Sequence, residues 1–133
     1  MTWRNVKIKR WAADDWFSKC VRASAPHGLC ISCRRREATD CAHIIGRAVF
    51  ATRWCKANAV PLCRHCHDHY GSHPLEFTDF IEALDPDRRQ FLAVKRRGIL
   101  KNNETNRKLI SDHYRQEFRR MEATGDLDFE SWN

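Results

Sequence analysis

The stretch that decides the fold is Asn58–His69, NAVPLCRHCHDH. Its last seven residues hold two cysteines, Cys63 and Cys66, and three histidines, His65, His67 and His69. Each of these side chains can ligate a metal, and four ligands close a tetrahedral site. The stretch therefore offers more donors than one closed ion uses alone. Upstream, LCISC carries a second C-x-x-C pair, Cys30 and Cys33. Two knuckles of this spacing can supply four thiolates to one ion, which predicts a structural Zn2+ held by Cys30, Cys33, Cys63 and Cys66. The competing reading, four buried thiols, requires two such pairs to arise by chance in a short chain. No βαβ pattern surrounds either pair, which argues against a redox site. If the four cysteines share one ion, the histidines are left for other work.

Composition frames this reading. A chain of 133 residues is expected to form one domain, residues 1–133. The order within it reads as an N-terminal helix in 1–28, zinc knuckles and a metal motif in 29–72, helices in 73–123 and an acidic tail in 124–133. Charged residues are 31% of the chain, and no apolar run approaches the ~20 residues of a membrane span, so a soluble protein without a membrane partner is expected. MTWRNVKIKRWAADDW at the N-terminus is broken by charges and does not read as a secretory signal. Seven cysteines, an odd number, with C-x-x-C spacing argue against a disulfide framework and point to reduced thiols in a cytoplasmic setting. Net charge is +7, unevenly placed. Residues 1–121 carry all 24 Lys and Arg but only 13 of the 17 acids, the excess that a polyanion-binding surface needs.

Periodicity predicts a mainly helical α+β fold around a small irregular centre. Ala13, Trp16, Phe17, Cys20 and Val21 recur at helical spacing, giving a helix over about 10–23. DCAHII and NAVPL read as short strands, with Pro61 at a strand end or edge because it lacks a ladder donor. GRAVFATRWCKA between them reads as a loop, with Trp54 as its anchor in the core. CRHCHDHYG predicts a short helix stopped by Gly71. Phe77, Phe80, Ile81 and Leu84 form the stripe of an amphipathic helix. Another is expected with Asp85 as N-cap, Pro86 at its first position and Gly98 as its stop. The last runs from Asn103 to about Glu122, its apolar side Leu109, Ile110, Tyr114, Phe118 and Met121. The tail reads as loose unless Phe129 and Trp132 dock it, and its acids could fold back over the basic face as a brake.

His43, Asn58 and His67 stand in the order of the HNH nuclease motif: a strand ending in His, a loop, Asn before a short apolar strand, then C-x-x-C-H. With WFSKCVRA, HIIGR, ATRW, NAVPLC and GSHPLEF, residues 11–82 resemble phage recombination endonucleases of the NinG (Rap) type. The resemblance implies a zinc-stapled ββα-metal centre with flanking helices. It implies an HNH endonuclease that hydrolyses phosphodiester bonds in double-stranded or branched DNA, in a phage or prophage context and so in the cytoplasm of a bacterial host. It also implies Mg2+ or Mn2+ as catalytic cation and a homodimer as partner state. His43 would be the general base, His67 a ligand of the cation, and Asn58 either an orienter of the His43 ring or a second ligand. The position before the base, often a ligand in the family, is Ala42 here. Asp40, His69 and His73 are the further candidates for that shell. Arg53, then Arg47, with Lys56, are candidates to hold the DNA phosphate, because arginine can grip it with a bidentate contact.

Blander readings stand beside these. A non-catalytic, zinc-stapled nucleic-acid-binding module would share every feature except the reacting histidine, and Ala42 favours it. The runs RRR at 34–36 and KRRGILK at 95–101 are either backbone contacts to a duplex or solvated faces. Cys20 reads as core, Cys41 as core or a spare thiol, and Cys55 has no evident partner. His27 and His113 read as structural or surface groups, and His65 as solvated or near a phosphate.

Overall fold

A computed structural model describes residues 8–133. The charged stretch at residues 1–7, part of the N-terminal reading above, lies outside them. The elements are α1 (Ala12–Ala23), β1 (Asp40–His43), α2 (Phe50–Arg53), β2 (Ala59–Leu62), α3 (Arg64–Ser72), α4 (Pro74–Leu84), α5 (Arg88–Lys95) and α6 (Glu104–Thr124). The class is α+β and mainly helical. Single 3₁₀ turns stand at Pro26–Gly28 and Lys56–Asn58.

Local chemistry sets the helix ends. Asp14 reaches back to accept the Trp11 backbone N–H at 2.8 Å, which satisfies a donor at the start of α1. Asp15 and Arg22 complement the helix dipole at the two ends. Asn103 caps α6 by accepting the Asn106 N–H at 2.8 Å. Gly125 closes α6 in the left-handed region, φ 75°, where a Cβ would be penalised. The expected stop at Gly71 comes two residues late: α3 runs to Ser72, and Pro74 then starts α4 while barring His73 from helical geometry.

Two expectations fail locally. The segment between the strands is not a plain loop, since it folds into α2 and the turn Lys56–Asn58. The helix expected to begin at Pro86 starts at Arg88, because Asp85 accepts the Asp87 N–H through its side chain and the Arg88 N–H through its carbonyl, and this turn consumes the first residues. Leu84 and Leu109, placed above on apolar stripes, are about half exposed.

The strands pair antiparallel, with Asp40 opposite Leu62 and His43 opposite Ala59. Pro61 sits within β2, tolerated because a two-stranded sheet is all edge. Its carbonyl accepts the Ile31 N–H at 3.2 Å and so ties the first knuckle to the sheet. The alternation of β1 divides its side chains. Cys41 and His43 face α1, where Cys41 packs on the larger core and the Phe17 ring lies 5.9 Å from that of His43. Asp40 and Ala42 face α3. The sheet is thus a thin middle layer between α1 and the α3–α4 pair, and all four residues of β2 are buried.

Two cores result. The larger joins α1 to α6 through Phe17, Val21, Trp54, Ile110, Tyr114 and Met121. The tail closes it: Phe129 is 4% exposed, and the Trp132 N–H donates to the Tyr114 hydroxyl at 3.0 Å. The tail is therefore docked. Its acids pair with Lys56 and Arg120, and none of its residues lines the cleft described below. The smaller core, beneath the cysteines, holds Ala42, Val60, Leu62 and Ile81.

Candidate metal centre and adjoining cleft

The sulfurs of Cys30, Cys33, Cys63 and Cys66 all lie within 4.8 Å of one another, a four-cysteine group that can hold a metal ion. Cys30 and Cys33 sit on a tight turn closed by Arg34 N–H to the Cys30 carbonyl and Cys30 N–H to the Arg36 carbonyl, both 2.8 Å. Arg34 takes φ 55° to make that turn. Cys63 is the N-cap of α3, and its sulfur accepts the Cys66 N–H at 3.3 Å. The Cys33 and Cys63 sulfurs are 3.9 Å apart, nearly twice a disulfide length. All seven cysteines are free thiols.

Electrostatics favour a cation among these sulfurs. Backbone N–H groups of Arg35 and Arg36 pull the Cys33 thiol down to about 6, so it is a ready thiolate at neutral pH. Burial, with the neighbouring sulfurs, pushes Cys66 up to about 12. Four thiolates at this spacing repel one another, and a bound divalent ion removes that repulsion.

On the adjoining face, Asp40, His43 and His67 line one cleft of about 620 Å³. The wall also includes Arg10, Arg22, Arg47 and Arg64. Arg47 makes no ion pair among the described residues, and Arg64 reaches Asp40 at 3.0 Å. The Asp40 carboxylate also accepts from His67 Nδ1 at 2.8 Å. The His67 and Arg64 contacts, with the Thr39 hydroxyl, hold its carboxyl below the usual range against its burial.

His43 ends β1. Its Nε2 lies 3.1 Å from the Arg53 carbonyl, so that nitrogen carries the proton and Nδ1 holds the lone pair. Burial pushes the ring down to about 4, so His43 is neutral at pH 7. The Phe17 ring packs beside it. Asn58 is fully buried, and its amide is bonded on both ends to Ile45: Oδ1 accepts the Ile45 N–H at 2.7 Å and Nδ2 donates to its carbonyl at 2.9 Å. Its own carbonyl accepts the Ile44 N–H at 2.8 Å. Asn58 therefore touches neither the His43 ring nor a cation. It fastens the chain just beyond His43.

Arg53, the first choice for a phosphate contact, is 1% exposed and cannot fill that role. Its guanidinium grips Asp14 with two bonds of 2.9 and 2.8 Å. The rings of Trp11, Phe50 and Trp54 lie within 5.5 Å of it. Trp54 Nε1 also donates to Asp14 at 3.1 Å. The sequence pattern did not distinguish a buried arginine from an exposed one, although the flanking Phe50 and Trp54 were an available sign. Lys56 pairs with Asp128, lies over the Phe129 ring and does not line the cleft. Arg47 remains at the cleft. Arg10, Arg22 and Arg64 join it there, brought in from the segment before α1, from α1 and from α3 by packing that no local motif encodes.

Ala42 is 2% exposed within the smaller core, so its small side chain has a packing reason. His69 and His73 stand apart from the cleft, clustered with Glu76. Among the described residues no helix is long and apolar enough to cross a membrane. Comparison with family models, with curated proteins and with solved structures found no match.

Proposed function

We propose that this chain is a metal-dependent DNA endonuclease with an HNH-type ββα centre, stapled by Zn2+ at its four cysteines. One observation carries the reading. A neutral, half-buried histidine, His43, opens on the same arginine-lined cleft as the Asp40–His67 pair.

The donor set fits a catalytic cation of the Mg2+ or Mn2+ kind. With His67 Nδ1–H donated to one Asp40 oxygen at 2.8 Å, the other Asp40 oxygen and His67 Nε2 are the atoms left to ligate, and such ions keep several waters, so two protein ligands suffice. Asp40 and His67 would hold that ion, which when bound neutralises charge on the phosphate and on the leaving oxygen. His43 Nδ1 takes the proton of the attacking water, while Nε2–H on the Arg53 carbonyl keeps the ring in this tautomer. The water oxygen bonds to phosphorus as the bond to the 3′ oxygen breaks. Solvent protonates that oxygen, leaving a 5′-phosphate and a 3′-hydroxyl. Arg47, with Arg10 and Arg22, would hold the phosphodiester, and Asn58 holds the segment after His43 in place.

Branched DNA, double-stranded DNA and a homodimeric state follow only from the NinG-type resemblance and are part of this proposal. A second reading, a nucleic-acid-binding module without catalysis, is favoured by the mutual pairing of Asp40, His67 and Arg64, which engages the candidate ligands with one another. The deciding experiment is nicking of a synthetic four-way junction and a matched linear duplex, with Mg2+ or Mn2+, by wild type and His43→Ala. The expected result is metal-dependent cutting by wild type alone. Binding of either substrate without cutting would replace the enzyme reading with the binding module, and cutting by His43→Ala at the wild-type rate would remove His43 as the base.

A further inference from the structure

The elbow between α3 and α4 carries a second cluster of ligating groups. His69 lies in the last turn of α3, His73 is the residue between the helices, and Glu76 stands in the first turn of α4. Their ligand atoms all fall within 4.8 Å of one another. His69 Nε2 lies 3.3 Å from one Glu76 oxygen and His73 Nε2 lies 3.9 Å from the other. Two ligands about 2.1 Å from one ion stand roughly 3.0–3.5 Å apart at tetrahedral or octahedral angles. The observed spacing is thus close to a ligating one, and small side-chain rotations complete it.

Three features prepare the cluster. His73 Nδ1 donates to the His69 carbonyl at 2.8 Å, which fixes its tautomer and leaves Nε2 as the lone-pair nitrogen. The two imidazole rings stack, with centroids 4.2 Å apart and planes 15° apart, and the Nε2 atom of each lies beside the Glu76 carboxylate. The elbow itself is set by other contacts. Tyr70 packs on Phe77 and Phe80 at 5.2 and 5.3 Å, so the ligands are placed without an ion. All three ligands are exposed and accessible to an ion from solvent.

We propose that His69, His73 and Glu76 form a separate transition-metal site, distinct from the cysteine centre and from the cleft. Two imidazoles and one carboxylate suit Zn2+ and its neighbours rather than Mg2+ or Ca2+, with water in the open positions. The bound ion spans the α3–α4 elbow. Because α3 carries both Cys66 and His67, the ion stiffens the helix that joins the two centres.

The test is equilibrium dialysis of the full chain against Zn2+, counting ions bound beyond the one held by the cysteines. Wild type, His69→Ala, His73→Ala, Glu76→Gln and the Asp40→Asn/His67→Ala variant are compared. The site predicts one further ion in wild type and in Asp40→Asn/His67→Ala. Its affinity should fall at least about 10-fold in each of the other three variants. The ring-proton resonances of His69 and His73 should shift as it binds. An extra ion that survives in His69→Ala and His73→Ala but disappears in Asp40→Asn/His67→Ala would assign it to the cleft and overturn the proposal. So would the absence of any further ion at a large excess of Zn2+.

Discussion

The two cores of this small protein are held in different ways. Between α1 and α6, Phe17, Trp54, Ile110, Tyr114, Met121 and Phe129 bury large side chains that supply stability through area alone. Under the cysteines, Val60, Leu62 and Ile81 are the largest fully buried apolar groups, and three cysteines make up much of the rest. A core that small needs a cross-link, and the four-cysteine group offers one. The contrast teaches where function can sit. The cleft lies along the seam, with His43 packed against the larger core and Asp40 and His67 attached to the cysteine half.

The sharpest way to break this contrast is to remove the cross-link. Cys63→Ser should abolish metal binding at the cysteine group. It should also cost more than about 4 kcal/mol, since tying residues 30–33 to 63–66 closes a long loop in addition to the ligation energy. Metal analysis with urea unfolding checks this, and α1–α6 packing, followed by tryptophan fluorescence, should persist longer than the cysteine half. Equal loss of both halves in one transition would show that the cores are not separable.

The larger half has its own vulnerable point. Asp14→Ala should cost about 3–5 kcal/mol, because it leaves the Arg53 guanidinium buried without its partner. Thermal unfolding reads this directly. Asp14→Asn should recover little, since a neutral amide presents one acceptor where Arg53 and Trp54 require two.

A third experiment works at the seam. Burial holds His43 near 4, against 6.5 for a free imidazole. Between those values the unfolded chain takes up a proton that the folded chain refuses. Stability is therefore full above about pH 6.5 and falls as pH drops toward 4, by up to about 3 kcal/mol. His43→Gln should flatten this part of the curve. Because acid also releases metal from thiolates, the measurement is the difference between wild type and variant, and parallel curves for the two would contradict the burial argument.

The smallest effect belongs to the tail. Lys56→Ala removes the exposed pair with Asp128 and should change stability by less than about 1 kcal/mol. Phe129, not charge, anchors the tail in the larger core. A large loss in Lys56→Ala, measured by denaturant midpoint, would reverse that ranking.

Much of this was legible in the chain. The C-x-x-C spacings announced the cysteine group, because each ligand pair is a local turn whose geometry follows from its own few residues. The strands read as DCAHII and NAVPL, each found one or two residues shorter, the start of the last helix near Asn103 and the stripe of α1 were equally local. Arg53 was misread because an arginine in a basic loop looks the same whether it meets a phosphate or Asp14, which lies 39 residues away. The bonds of Asn58 to Ile45 were not legible, because they depend on a turn that the spacing does not describe.

By itself, then, the sequence determined the longer helices, the two strands and the four thiols, since these rest on periodicity, capping and ligand spacing within a few residues. Tertiary structure alone decided which arginines face the cleft, that Arg53 is locked inside, and that His67 is brought to the cleft that Asp40 and His43 line. Those outcomes depend on long-range packing of α1 and α3 against the two faces of the sheet. There, desolvation and partner geometry, rather than residue type, determine whether a charge is buried or presented.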